Sequence, residues 1–162
     1  MLIGPPGSGR STQAQQISDA FGLVLISPQK ILRAEAERNP PIKIKLMESA
    51  ESGMPVPDEI ILRLVEERLR QSDCRINGWI LDGFPETESQ VNLLKSMRIN
   101  PSLVCMFEQT VDESVNKLQA RRIDPMTGEL FNTEVNQPRF ESQNLRLQRM
   151  PGDAEDLVRK RY

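Results

Sequence analysis

Histidine is absent from the 162-residue sequence, and cysteine occurs only twice. The absence of histidine excludes a histidine general base and any metal site with histidine ligands. Cys74 and Cys105 stand singly in the sequence, so they do not form the paired spacing of a zinc site. The pattern favours two free thiols over a disulfide.

The sequence also lacks a large charge excess and a long apolar run. A formal net charge of −2 gives no general attraction to nucleic acid or to an anionic membrane, so any anion binding must be local. No segment has the length of a membrane span, and no signal-peptide pattern opens the chain. With 38% hydrophobic and 27% charged residues, the composition is ordinary for one globular domain.

Short apolar segments alternate with helical patterns, which predicts βα units and a parallel sheet. Asp58 is predicted to cap the fourth helix, and capping boxes are predicted at Thr87/Gln90 and Thr110/Glu113. The segment 102–107 has the pattern of a buried strand. The predicted strands are 2–3, 23–26, 79–81 and 102–107; the predicted helices are 10–21, 29–38, 41–52, 58–71, one opened by Thr87, and one from Thr110 to about Arg122.

The segment GPPGSGRST, residues 4–12, has the spacing of a phosphate-binding loop, except that Arg10 replaces the usual lysine. Glycines let backbone N–H groups converge on phosphate oxygens, and a hydroxyl can reach a phosphate or the magnesium shell. A simple glycine-rich turn is the alternative, which the flanking strand and helix disfavour. The predicted phosphate ligands are Gly4, Gly7, Ser8, Gly9, Arg10, Ser11 and Thr12.

Asp82 ends the apolar strand Trp79-Ile80-Leu81. An acid at the end of such a strand holds Mg²⁺ in many phosphate-loop proteins, commonly through water. The alternative is an ordinary turn aspartate. The loop upstream favours the magnesium role.

Three segments in order resemble the adenylate kinase family: GPPGSGRSTQ at 4–13, GWILDGFPETESQ at 78–90 and RRIDPMTGELF at 121–131. The resemblance implies a P-loop three-layer α/β/α fold over residues 1–162, with a parallel five-stranded sheet. It also implies a monophosphate-binding helical insertion at 27–56 and a short lid at 123–149, which has no cysteine for zinc. The family pattern further suggests that both ends of the chain are cut.

The family reaction is the reversible conversion of ATP and AMP into two ADP, with Mg²⁺. By resemblance, Arg33 would hold the phosphate of AMP, and Arg122 would assist the neighbouring Arg121. Gln90 would contact the adenine of AMP, unless it serves only in the capping box. The arginines expected to act on the transferred phosphoryl group are Arg10, Arg121, Arg149 and Arg161.

Four residues depart from the family pattern near the site: Arg10 for lysine, Glu86 for arginine, Lys30 for an acid, and Pro28 for threonine. A carboxylate at position 86 repels a phosphate by about 1 kcal/mol at contact distance in water. We therefore expect ATP binding to survive while AMP binding and transfer weaken. Two functions stay open: an impaired adenylate kinase, or a nucleotide-binding structural module with little turnover.

The short lid and the turn at Pro85–Thr87 most resemble one domain of the tandem-domain adenylate kinases of cilia and flagella. This resemblance implies a cytoplasmic location, within a cilium or flagellum. It also implies other domains of a longer chain and an axonemal assembly as partners. No nucleic acid or membrane partner is expected. An unrelated P-loop NTPase is disfavoured by the second and third motifs.

Overall fold

The computed structural model describes residues 1–52, 56–127, 129–134 and 136–160. The chain folds as two compact units. The first consists of Met1–Ile3 and Arg10–Met106, and the second of Gly4–Gly9 and Phe107–Tyr162. The boundaries of the predicted insertion at 27–56 and the predicted lid at 123–149 remain predictions.

The strands of the first unit are parallel, as predicted. β2 pairs with β3, with Ile26 opposite Leu81, and β1 pairs with β4. A parallel bridge between Leu2 and Asp82 connects the two pairs, which gives the order β2, β3, β1, β4. The strands are β1 (Leu2–Ile3), β2 (Val24–Ile26), β3 (Trp79–Leu81) and β4 (Cys105–Met106).

Four helices of the first unit, α1 to α4, begin and end within about two residues of their predicted limits, and α6 follows Thr87 as predicted, whereas α5 was not predicted. Asn39 caps the C-terminus of α2 in an extended conformation, as expected for a residue before proline. The helices are α1 (Arg10–Phe21), α2 (Pro28–Arg38), α3 (Pro40–Ser52), α4 (Asp58–Leu69), α5 (Ser72–Asn77) and α6 (Glu88–Ser96).

Two apolar clusters hold the first unit together. In the larger one, Ile26 and Leu81 from the sheet pack with Val65 of α4, and all three are fully buried. The smaller cluster joins α2 and α3 to α4 through Leu32, Ile42 and other apolar residues. The larger cluster thus holds Leu81, the last residue of β3 before Asp82, against α4.

The second unit contains helices and an antiparallel hairpin. Thr110 and Glu113 form the predicted capping box at the start of α7. Val115 and Leu118 of α7 pack on Val158 of α9 as the core of this unit. Its elements are α7 (Val111–Gln119), β5 (Arg121–Ile123), β6 (Leu130–Asn132), α8 (Glu141–Asn144), the 3₁₀ helix Pro151–Asp153 and α9 (Glu155–Lys160).

Two predicted helix caps in the first unit are wrong in detail. Pro57, not Asp58, occupies the N-cap position of α4, and no side-chain cap bond forms there. The Asp58 carboxylate instead accepts a hydrogen bond from Gln90. At α6, the Thr87 hydroxyl accepts from the Gln90 N–H as predicted. The Gln90 side chain does not complete the box, because it accepts from the backbone N–H of Glu86.

The prediction of a buried strand at 102–107 is also wrong. Only Cys105–Met106 is a strand, because its partner β1 offers only two residues for pairing. Leu103 and Met106 are 68% and 67% exposed, so this segment does not lie in the core. No helix in the described part of the chain is both long and apolar enough to cross a membrane.

Candidate functional site

The glycine-rich loop takes a backbone path that requires glycine at two positions. Gly4 has φ of +153° and Gly7 has φ of +80°. A Cβ atom on Gly4 would lie 2.8 Å from Cβ of Phe107 and 2.9 Å from its carbonyl oxygen. A Cβ on Gly7 would lie 3.2 Å from Cγ of Leu118. The loop therefore packs tightly on neighbouring residues of the second unit.

Ser8 lies in the bend of this loop. Its backbone N–H donates to the carbonyl of Pro5 at 3.3 Å, which closes a turn. Its Oγ atom is buried and has no hydrogen-bond partner within the described residues. A buried hydroxyl without a partner is costly. The Ser8 hydroxyl is thus available to a ligand such as a phosphate oxygen.

Arg10 and Asp82 form an ion pair in the first unit. Arg10 is the first residue of α1, and its Nε atom donates to Oδ1 of Asp82 at 2.7 Å. The two side chains are only 14% and 8% exposed. The cation predicted to bind phosphate and the acid predicted to bind Mg²⁺ therefore engage each other.

Gly83 brings a second acid close to Arg10. Gly83 has φ of +79°. A Cβ atom at this position would lie 2.9 Å from Nη2 of Arg10 and 4.0 Å from Oε1 of Glu86. The guanidinium therefore lies against the bare backbone of Gly83, and the carboxylate of Glu86 lies near the same glycine.

Gln90 is buried, and both ends of its amide are occupied. Its Nε2 atom donates to Oδ1 of Asp58, and its Oε1 atom accepts from the N–H of Glu86, each at 2.7 Å. A carboxylate acceptor and an N–H donor fix the orientation of the amide. An adenine that binds Gln90 would have to use the second N–H of Nε2 or the second lone pair of Oε1, or displace one of these partners.

A small cavity of about 70 Å³ lies beside Gln90 in the first unit. Pro28, Leu32 and Phe84 supply apolar surface, and Glu86 and Gln90 supply polar atoms. Arg33 and Lys30 lie on α2 with exposed side chains. This cavity therefore combines an apolar wall with an acidic group.

The predicted catalytic arginines of the second unit differ in their surroundings. Arg121 donates from Nε to Oδ2 of Asp153 at 2.7 Å, and Asp153 is buried. Arg122 donates to the carbonyl of Gln119 at the end of α7. Arg149 is exposed and has no ion pair among the residues that the structure describes. Arg161 lies outside the described residues.

Sequence reasoning missed an ion pair between Asp124 and Arg146. Asp124 is fully buried, and Nε of Arg146 lies 2.9 Å from each of its carboxylate oxygens. Hydrogen bonding from Arg146 lowers the pKa of Asp124 from 3.8 to about 2. The N–H of Met126 also donates to Oδ1 of Asp124, which is an aspartate turn. The sequence Asp124-Pro125 could have indicated such a turn.

The residues around Asp82 fit a magnesium ion of the kind that nucleotides bring with them. A single carboxylate suits Mg²⁺, which commonly takes its remaining ligands from phosphates and water. No group of three or more acidic, cysteine or histidine side chains that could hold a metal occurs in the described ranges. Asp82 could serve as such a ligand, in competition with Arg10.

Comparison with known proteins decides the family. The sequence profile named "Adenylate kinase" matches residues 2–162. The chain belongs to the adenylate kinase family. An adenylate kinase from Geotalea uraniireducens (strain Rf4) is 45% identical over 106 residues, which are 65% of this chain and 46% of that protein. An adenylate kinase from Citrifermentans bemidjiense is 47% identical over 94 residues, 58% of this chain and 44% of that protein.

A plant relative is similar as well. "Probable adenylate kinase 2, chloroplastic" from Oryza sativa subsp. japonica is 39% identical over 108 residues, 67% of this chain and 37% of that protein. The chain thus spans less than half the length of these adenylate kinases. Family membership confirms the predicted P-loop α/β fold and agrees with the parallel strands of the first unit.

Proposed function

We propose that this chain is a nucleoside monophosphate kinase that binds ATP well and transfers its terminal phosphoryl group to AMP slowly. One observation carries the proposal: the Arg10–Asp82 ion pair, 2.7 Å long and mostly buried. It suggests that both charged groups must change partner before they can act on a nucleotide.

The glycine loop supports ATP binding. Its glycines take positive φ angles, and the hydroxyl of Ser8 lacks a partner in the described part of the chain. The helix α1 follows directly in the sequence, and a helix N-terminus favours an anion. These features are those expected of a loop that holds the phosphates of a nucleotide.

The transfer itself is a displacement at the terminal phosphorus of ATP. An oxygen of the AMP phosphate bonds to this phosphorus while its bond to the oxygen of the β-phosphate breaks, which leaves two ADP. Mg²⁺, if held by Asp82, would supply charge neutralisation of the phosphates. The protein must otherwise hold both nucleotides in line and provide cations. By family resemblance the arginines in this role are Arg10, Arg33, Arg121, Arg149 and Arg161.

Arg10 is the residue that we expect to limit the rate. A phosphate and Asp82 compete for its guanidinium, and Mg²⁺ and Arg10 compete for the Asp82 carboxylate. Arginine also differs from lysine because its charge is spread over a planar guanidinium, whereas lysine carries a compact ammonium group. These two competitions are a physical reason for slow transfer.

The test combines binding and turnover on the chain. Calorimetry with ATP and Mg²⁺ should give saturable heat, and a coupled assay should detect ADP formation from ATP and AMP below about 1 s⁻¹, the low end of usual turnover numbers. Asp82→Asn should abolish this rate, whereas Asp156→Asn, an exposed aspartate in α9, should leave it unchanged. Absence of ATP binding would contradict the proposal. A parent rate above about 100 s⁻¹ would contradict the impairment alone.

A second function is a nucleotide-binding structural module without turnover. The cavity proposed for the monophosphate favours this second function, because Glu86 adds negative charge to it and each end of the Gln90 amide already has one hydrogen-bond partner. Under this function, ATP binds but AMP gives no heat and no ADP forms. The location in a cilium or flagellum, the further domains and the axonemal partners are proposals from sequence resemblance.

A further inference from the structure

Two carboxylates that differ in exposure lie near the guanidinium of Arg10. Asp82 is buried, with 7% of its surface exposed, and it receives the Nε–H of Arg10. Glu86 is an exposed residue. Its Oε1 atom and Nη2 of Arg10 both lie within 4.0 Å of the place where Gly83 would carry a Cβ. Asp82 is therefore hydrogen-bonded to the guanidinium of Arg10, and Glu86 lies beside Gly83 near the same group.

This arrangement uses the shape of arginine. The guanidinium presents N–H donors in a planar fork, so one edge can serve Asp82 while a terminal nitrogen faces Glu86. The ammonium group of lysine is a compact point charge, so it does not present separate N–H donors in a fixed plane towards two carboxylates. Gly83 makes the approach possible, because any side chain there would meet Nη2 of Arg10 at 2.9 Å.

We propose that Glu86 is a positioning residue that holds Arg10 on Asp82 and thereby weakens the binding of ATP phosphates. The inference rests on the proposed function, because it requires that ATP binds at Arg10. Glu86 then does more than repel a monophosphate: its charge sets how readily Arg10 leaves Asp82 for a nucleotide.

General repulsion between Glu86 and any phosphate predicts a different pattern. Repulsion depends on the charge of residue 86 alone. Removal of this charge should therefore tighten ATP binding equally with arginine or lysine at position 10. Positioning of Arg10 depends on the guanidinium. Removal of the Glu86 charge should therefore tighten ATP binding mainly when arginine is present at position 10. A double-mutant cycle separates the two.

The experiment measures the dissociation constant of ATP by calorimetry, with and without Mg²⁺, for the parent chain, E86Q, R10K and R10K/E86Q. The loss of one contact charge pair is worth about fivefold in affinity at water-like screening. We expect E86Q to tighten ATP binding about fivefold in the parent chain and less than twofold in R10K. E86D should keep the parent affinity. E88Q, which removes an exposed charge from the first turn of α6, is the matched control and should change nothing.

Each outcome separates the inference from the proposed function. If the parent binds ATP and E86Q binds it equally well, the inference fails and the proposed function stands. An equal gain from E86Q in both backgrounds also overturns the inference, because it shows general repulsion. If none of the four chains binds ATP, both fail.

Discussion

Gly4→Ala tests how tightly the glycine-rich loop is packed. The new Cβ would lie 2.8 Å from Cβ of Phe107 and 2.9 Å from its carbonyl oxygen. The φ angle of +153° adds backbone strain of about 1–3 kcal/mol. Overpacking typically adds about 1–3 kcal/mol, and the backbone of Phe107 cannot rotate away as a flexible side chain could. The free energy of unfolding should fall by about 2 kcal/mol or more, which corresponds to at least about 4 °C in Tm.

Gly9→Ala is the matched control for this prediction. Gly9 belongs to the same loop and has φ of +82°, but a Cβ there would meet nothing within 4 Å. The control should lose only the cost of the left-handed conformation, about 1–2 kcal/mol. Urea denaturation without nucleotide measures both variants. If the two substitutions lower stability equally, the contact with Phe107 does not constrain the loop, and the reasoning is refuted.

Two further predictions concern buried polar contacts. Because Arg146 lowers the pKa of Asp124 to about 2, their ion pair should stabilise the second unit above about pH 4 and be lost as the pH falls towards 2. The Met126 amide donates to Asp124, so its protection factor, which compares its hydrogen-exchange rate with that of an unstructured amide at the same pH, should fall over this pH range. It should also fall in Asp124→Asn at neutral pH, but not in Asp156→Asn. Gln90→Ala removes the partner of both Asp58 and the Glu86 N–H, and should cost about 1–3 kcal/mol in urea denaturation. Gln16→Ala, at an exposed position of α1, should cost little, and equal losses in the two variants would contradict the role of the Gln90 amide.

Sequence patterns predicted the elements whose causes are local. The break between α2 and α3 follows from Asn39-Pro40, and the capping box at Thr110 and Glu113 forms as its residue types require. The parallel sheet follows from the alternation of strands and helices. The sequence predicted that the glycine loop lies between a strand and α1 and that Asp82 follows β3, because the spacing of such a motif reflects the backbone path as well as the residue chemistry.

Contacts between distant residues were not predictable from such patterns. Asp58 has a residue type suited to a helix cap, but Gln90, 32 positions away, binds its carboxylate. The pairing of Arg10 with Asp82 spans 72 positions. Resemblance indicated Arg149 or a neighbouring arginine in the predicted lid, and within that segment Arg146 pairs with a buried acid. Charge and hydrogen-bonding capacity are visible in a sequence, but the choice of partner depends on the packed structure.

The shared position of Arg10, Asp82 and Glu86 has a consequence for how this part of the sequence can evolve. Asp82 is buried, so its charge is costly unless a cation or hydrogen-bond donors lie beside it. A change of Glu86 to arginine alone would place two guanidinium groups near Gly83, whereas a change of Arg10 to a neutral residue alone would leave the buried Asp82 without the cation that it binds. Substitutions at positions 10 and 86 should therefore occur together among related chains, and a single change should be rare.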